Sequence, residues 1–155
     1  MSSLYVVNQI KSYIQNEITN LNVVGPLIEI DGDIDDLNTF KSDNSLALAD
    51  PWLGIQFEPS FETPTSVLAT NTKGRYREDG VFLLHIVAFA NSTATNDIRQ
   101  RGDVLQNIFR GATINGDIII ESMSSPDFDD SQTISFRGGY IAASIEVDYY
   151  RNNTL

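Results

Sequence analysis

Hydrophobic positions along this chain follow two rhythms, one helical and one extended. Leu4, Val7, Ile10, Ile14, Ile18 and Leu21 recur at three- and four-residue spacing. That stripe predicts an amphipathic helix over 3–21, with Ser2 or Ser3 as N-cap and Lys11, Gln15 and Glu17 on the wet side. Val24-Gly-Pro26 breaks the pattern, and Leu27-Ile-Glu-Ile30 reads as a short strand. Residues 31–50 open on Asp31-Gly-Asp-Ile-Asp-Asp36 and have weak periodicity. They read as a long acidic loop, with a short helical turn at Ser45–Ala49.

Period two returns at Trp52–Glu58. Leu53, Ile55 and Phe57 oppose Trp52, Gly54, Gln56 and Glu58, which predicts a half-buried strand bracketed by Pro51 and Pro59. Glu62–Thr70 permits an extended strand whose start Pro64 confines to an edge. Lys73-Gly-Arg-Tyr-Arg-Glu-Asp-Gly80 reads as a charged turn. Val81–Ala90 is almost uniformly apolar, as in a strand buried on both faces. After Asn91-Ser-Thr a helix begins near Thr95 or Asn96, with Asp97 in its first turn. Its stripe is Ile98, Leu105, Ile108 and Phe109, with Gly102 on the same face and Gly111 as C-cap. Asn115-Gly-Asp117 is a turn, Ile118–Met123 a strand and Ser124–Ser131 a loop. Thr133–Arg137 and Tyr140–Tyr150 are strands split by Gly138-Gly139. In the last strand Ile141, Ala143, Ile145, Val147 and Tyr149 point to the core. Ala142, Ser144, Glu146, Asp148 and Tyr150 point to a face that is wet or lines an assembly lumen.

These elements predict an α+β fold: a mixed β-sheet with an N-terminal helix and a second helix, after the central strand, packed on it. Residues 1–155 read as a single domain without internal repeats. With 41% apolar residues it can bury a core unaided. No apolar run approaches the length of a membrane span. The start, Met1-Ser-Ser-Leu-Tyr5, lacks the pattern of a signal peptide, so the expectation is a protein folded in a cytosol. Cysteine is absent, which excludes disulfides, thiolate metal sites and a Cys nucleophile. The net charge is −11, and the ten Lys and Arg residues are scattered except for Lys73, Arg75 and Arg77. Tight nucleic-acid binding needs clustered cations and is not expected. An acidic surface keeps a protein soluble, and it also suits a wall that DNA slides past.

Candidate chemistry is sparse. His85, the only histidine, lies in the most apolar strand and reads as a core or interface residue. Asp31, Asp33 and Asp35 begin like a calcium loop, but Asp36 replaces the turn glycine and Ser42 the closing glutamate. Asp127, Asp129 and Asp130 form a second acidic cluster without a closing ligand. No dinucleotide, phosphate-loop or nucleophile-elbow motif is present. The expectation is no catalytic residue, no cofactor and no metal. Arg75, Tyr76 and Arg77 are of residue types that anchor interfaces, and an acidic patch on an identical neighbour would receive them.

The layout is similar to the tail terminator proteins of long-tailed bacteriophages, also called minor tail or tail completion proteins. The strand Trp52–Glu58, the turn Arg75-Tyr-Arg-Glu-Asp-Gly80, the strand Val81–Ala90, the helix Ile98–Phe109 with Arg99, Gly102, Asp103 and Leu105, and the long last strand carry it. The segment 31–50 departs from the pattern. The resemblance implies a structural, non-enzymatic virion protein, assembled in the host cytoplasm. It implies a homo-hexameric ring at the head-proximal end of the tail tube. The ring ends tube polymerisation and offers a surface to the head connector or a neck protein, while DNA passes the lumen without specific binding and no membrane is involved. Arg75, Tyr76 and Arg77, then Asp31, Asp33 and Asp35, are the expected subunit or tube contacts. Two alternatives stand beside it. One is another neck or head–tail joining protein. The other is a monomeric small-ligand-binding domain, with His85, Tyr140, Tyr149 and Tyr150 as pocket lining.

Overall fold

A computed structural model of the chain describes residues 3–21, 27–30, 52–64, 75–89, 92–128 and 140–154. The expected 31–50 loop, with Asp31, Asp33 and Asp35, and the expected strand Thr133–Arg137 lie outside the described residues. Helix α1 spans Leu4–Leu21 and helix α2 spans Ala94–Phe109. The strands are β1 (Leu27–Glu29), β2 (Trp52–Phe57), β3 (Phe61–Pro64), β4 (Arg75–Phe89), β5 (Thr113–Ile114), β6 (Ile118–Met123) and β7 (Tyr140–Thr154). All seven join one sheet in the order β1-β2-β4-β7-β6-β5, and β3 pairs with the first part of β4. β1 and β2 are parallel and every other pairing is antiparallel, so the sheet is mixed and the fold is α+β.

Parity along the strands assigns the two faces. Phe82, Leu84, Ile86 and Ala88 of β4 share one face with Leu53 and Ile55 of β2 and with Ala143, Ile145, Val147 and Tyr149 of β7. Both helices cover that face, α1 through Val6, Ile10 and Ile14 and α2 through Ile98, Leu105, Ile108 and Phe109. Aromatic rings bridge the layers: Phe109 lies 5.6 Å from Tyr13 and 5.7 Å from Phe82. Leu4 departs from the expected stripe, being 75% exposed. The Val6, Ile10, Ile14 row docks instead, and Leu4 falls on its flank because a helix turns about 100° per residue.

Asn115 and Gly116 have φ of 53° and 78° and close a tight β5–β6 turn, which requires left-handed backbone at both positions. Gly111, at φ +66°, ends α2 as expected. Two further glycines are needed for closeness rather than for conformation. A Cβ on Gly102 would stand 2.5 Å from Pro126 Cγ, so α2 meets the segment after β6 directly. A Cβ on Gly80 would run into the ring and hydroxyl of Tyr149, which is buried across the ladder. Gly80→Val is therefore expected to lower unfolding free energy by about 1–3 kcal/mol through overpacking, read from urea denaturation. An unchanged midpoint would show that Tyr149 moves aside freely.

Candidate functional site

The expected turn at 75–80 is not a turn. Arg75–Gly80 are the first residues of β4, paired with the end of β7, and Tyr76–Asp79 of them also pair with β3. Two partner strands satisfy their backbone on both sides, which overrides the turn-like composition. Arg75 pairs with Thr154, and Tyr76 with Asn153 and Pro64. Arg77 lies on the face away from the helices. Its Nη2 is 2.8 Å from Asp79 and 2.6 Å from Glu121, and its guanidinium sits 4.0 Å above the Tyr150 ring. The hydrogen bond to Asp79, then the one to Glu121, push its pKa up. Arg77 thus ties β4 to β6 and β7 within one chain.

Glu78, which the pattern did not single out, points to the helix face and is 2% exposed. It accepts hydrogen bonds from the Ser3 backbone N–H at 3.1 Å, the Ser3 hydroxyl at 3.2 Å and the Ser60 hydroxyl at 3.2 Å. A carboxylate there meets the positive end of α1 and so fixes the helix start against the sheet. Close by, Tyr5 Oη donates to Asp117, Asn115 donates to Tyr5, and Arg151 reaches Asp117 at 3.0 Å while stacking on Tyr5. Alternation of Tyr76, Glu78, Gly80 and Phe82 in phase with the core was the available signal.

The face away from the helices has two parts. Around Trp52, His85, Val87, Ala142 and Ser144 it is buried. Gly54 admits Ile30 there, since a Cβ would stand 2.5 Å from Ile30 Cδ1. β2 is consequently buried on both faces over Trp52–Ile55, not half-buried as its alternation suggests. His85 lies 3.2 Å from Gln56 Oε1, and burial lowers its pKa from 6.5 to about 4, so it is neutral at pH 7. Around Arg77 the same face is wetter and carries Asp79, Glu121, Glu146 and Asp148. His85, Tyr149 and Tyr150 do not converge: Tyr149 belongs to the helix-side core, and Tyr150 lies under Arg77.

The sheet edges are the remaining feature. β3 has β4 on one side and no described strand on the other. Phe61, Glu62 and Thr63 are exposed, Phe61 by 74%. Leaving a Phe in water forgoes roughly 1.5–3 kcal/mol of burial, which a partner surface could recover. At the opposite end, β5 covers only Ile118–Ile119 of β6, and Ile120 N–H reaches Ala112 O. Glu121–Met123 then have β7 on one side and no described strand on the other. A cleft of about 380 Å³ runs along that edge, between β6 and the end of α2, lined by Phe109, Arg110, Ile120 and Met123 among others. Phe61 lies in a short run between Pro59 and Pro64, a pattern that marks an edge strand. Among the described residues no cluster of three or more His, Asp or Glu is placed to hold a metal. No family model matches the chain, and no curated protein matches it in sequence.

Two consequences are measurable. The unfolded chain binds a proton at His85 below pH 6.5 while the folded chain resists until about pH 4, so stability is lost as pH falls through that window. His85→Gln is expected to remove up to about 3 kcal/mol of this loss, at 1.36 kcal/mol per unit, in unfolding curves at pH 6.5 and 4. Identical pH slopes would place His85 in water. Arg77→Glu sets a fourth carboxylate among Asp79, Glu121 and Asp148. It is expected to lower the thermal midpoint, and less so in high salt, because screening weakens exposed charge repulsion. A salt-independent loss would assign the effect to packing on Tyr150.

Proposed function

We propose that this chain is a structural virion protein that forms a ring at the head-proximal end of a phage tail tube, ends tube growth and receives the head connector or neck. The observation that supports it most is a pair of unlike edges, β3 and the end of β6, on opposite sides of one sheet, neither with a described strand on its outer side. A heterologous, head-to-tail contact needs two different surfaces on each copy, and a ring results when the rotation between copies closes. The layout of the sequence agrees, from the N-terminal helix through the paired long strands β4 and β7.

The helix-free face fits the same reading. Its wet half carries Asp79, Glu121, Glu146 and Asp148 against Arg77. Turned toward a lumen, an acidic sheet face lets DNA pass without adhering, because phosphates are repelled. The helices then face outward. No catalytic step is part of this reading. A neck or head–tail joining role uses the same ring and differs only in which neighbour it binds.

Native mass spectrometry over a concentration series, alone and with polymerising tube protein, tests the proposal. A closed six-subunit species is expected, together with shorter tubes when the chain is added below stoichiometry. A monomer under every condition, with tubes growing to full length, overturns it. Rings that leave tube length unchanged but bind connector assign the chain to the joining role instead.

A further inference from the structure

We propose that the β3 edge of one copy adds as a strand to the outer β6 edge of the next, with Glu62 of the first reaching Arg110 of the second. The inference rests on the ring reading and specifies the contact that closes it. Four observations carry it.

Strand polarity comes first. β3 is antiparallel to β4, β4 to β7, and β7 to β6. β6 therefore runs with β4 and against β3. A copy related by rotation about an axis along the strands sets its β3 antiparallel to β6, and the alternation continues across the boundary. Extension of a sheet by an edge strand is a recurring recognition mode, with backbone hydrogen bonds supplying the contact.

Length comes second. Pro59 and Pro64 bracket β3 and leave Phe61–Thr63 to pair, while the run of β6 with no described strand on its outer side is Glu121–Met123. Each edge offers three residues. The prolines also restrict indiscriminate edge pairing, a common safeguard on open sheets.

Facing and charge come together. Glu62 pairs with Glu78 and so lies on the helix side, whereas Phe61 and Thr63 lie on the other side. The cleft beside β6 is on the helix side, because α2 forms one wall and Arg110 stands at its end. A docked β3 puts Glu62 over Met123 and toward Arg110. Neither Glu62 nor Arg110 has an ion pair among the described residues. Two-fold pairing of β3 with β3, or of β6 with β6, would bring Glu62 to Glu62 or Arg110 to Arg110. Like charges disfavour both, and opposite charges favour the head-to-tail arrangement.

Phe61 is the fourth. Leu4 and Phe61 are exposed to the same degree, but of the two only Phe61 lies on a strand with no described strand on its outer side, where a neighbouring sheet would reduce its contact with water.

The absence of cysteine makes a clean test. With Glu62 opposite Met123, Thr63 falls opposite Ser122 on the same face. Facing residues of an antiparallel pair have Cα atoms about 4.5–5.5 Å apart, within the range a disulfide spans. The variant carrying both Thr63→Cys and Ser122→Cys is expected to give, on mild oxidation, a ladder of covalent multimers ending at the ring. Either single variant is expected to stop at dimers. Glu62→Arg and Arg110→Glu, each alone, are expected to raise the subunit dissociation constant roughly tenfold, and the two together to restore it. Circular dichroism of each variant reports folding separately. Assembly in native mass spectra without the ladder, and without any response to Glu62→Arg, overturns this contact and leaves the ring standing. A monomer at every concentration and on the tube overturns both.

Discussion

A fifteen-residue antiparallel ladder between β4 and β7 sets the position of everything else in the described structure. At about 3.4 Å per residue it is roughly 50 Å long. The helices, of 18 and 16 residues, rise only about 25 Å each at 1.5 Å per residue. An apolar helix layer therefore covers only part of the ladder. The core holds one stretch of it, from Phe82 to Ala88 and from Ala143 to Tyr149. The far stretch, Arg75–Asp79 against Tyr150–Thr154, is held by polar ties instead.

Those ties are unequal on the two faces. On the helix side Glu78 is withdrawn from water and hydrogen-bonded to the start of α1, and Arg151, its neighbour across the ladder, joins Asp117 and Tyr5. On the other side Arg77 spans Asp79, Glu121 and Tyr150 at the surface. Exposed pairs contribute little to stability, whereas a buried carboxylate left without its donors is costly. The Glu78 contact thus ties the start of α1 to the sheet, while the apolar rows of both helices seat the helix layer. β3 follows from the same ladder. It has a partner only because β4 continues beyond the end of β2, and it becomes an edge because no described strand follows it.

Much of this was readable from spacing. The helix stripes, the apolar strand, the Asn115-Gly116 turn and the period-two last strand all express local rules, and α+β layering follows from their order. What spacing hid has a physical cause in each instance. Arg75–Asp79 looks like a turn because five polar or charged residues adjoin, and only long-range pairing on both sides makes them a strand. Trp52–Ile55 looks half-buried because Gly54 has no side chain, yet that absence is what lets Ile30 close over it. Phe61 was unremarkable in sequence, and its meaning comes from lying on an edge. Arg77 illustrates the converse: its residue type suggested an anchor for another molecule, and the fold uses it at home.

A ring closed by strand addition requires the two sheet edges to meet between copies. Backbone hydrogen exchange, compared between dilute and concentrated protein, tests this most directly, since strand addition protects amides that were open to water. Slowed exchange on assembly is expected in Phe61–Thr63 and in Glu121–Met123, with the acidic face around Asp79 and Asp148 unchanged. Assembly that leaves both edges exchanging at their dilute rates would contradict it.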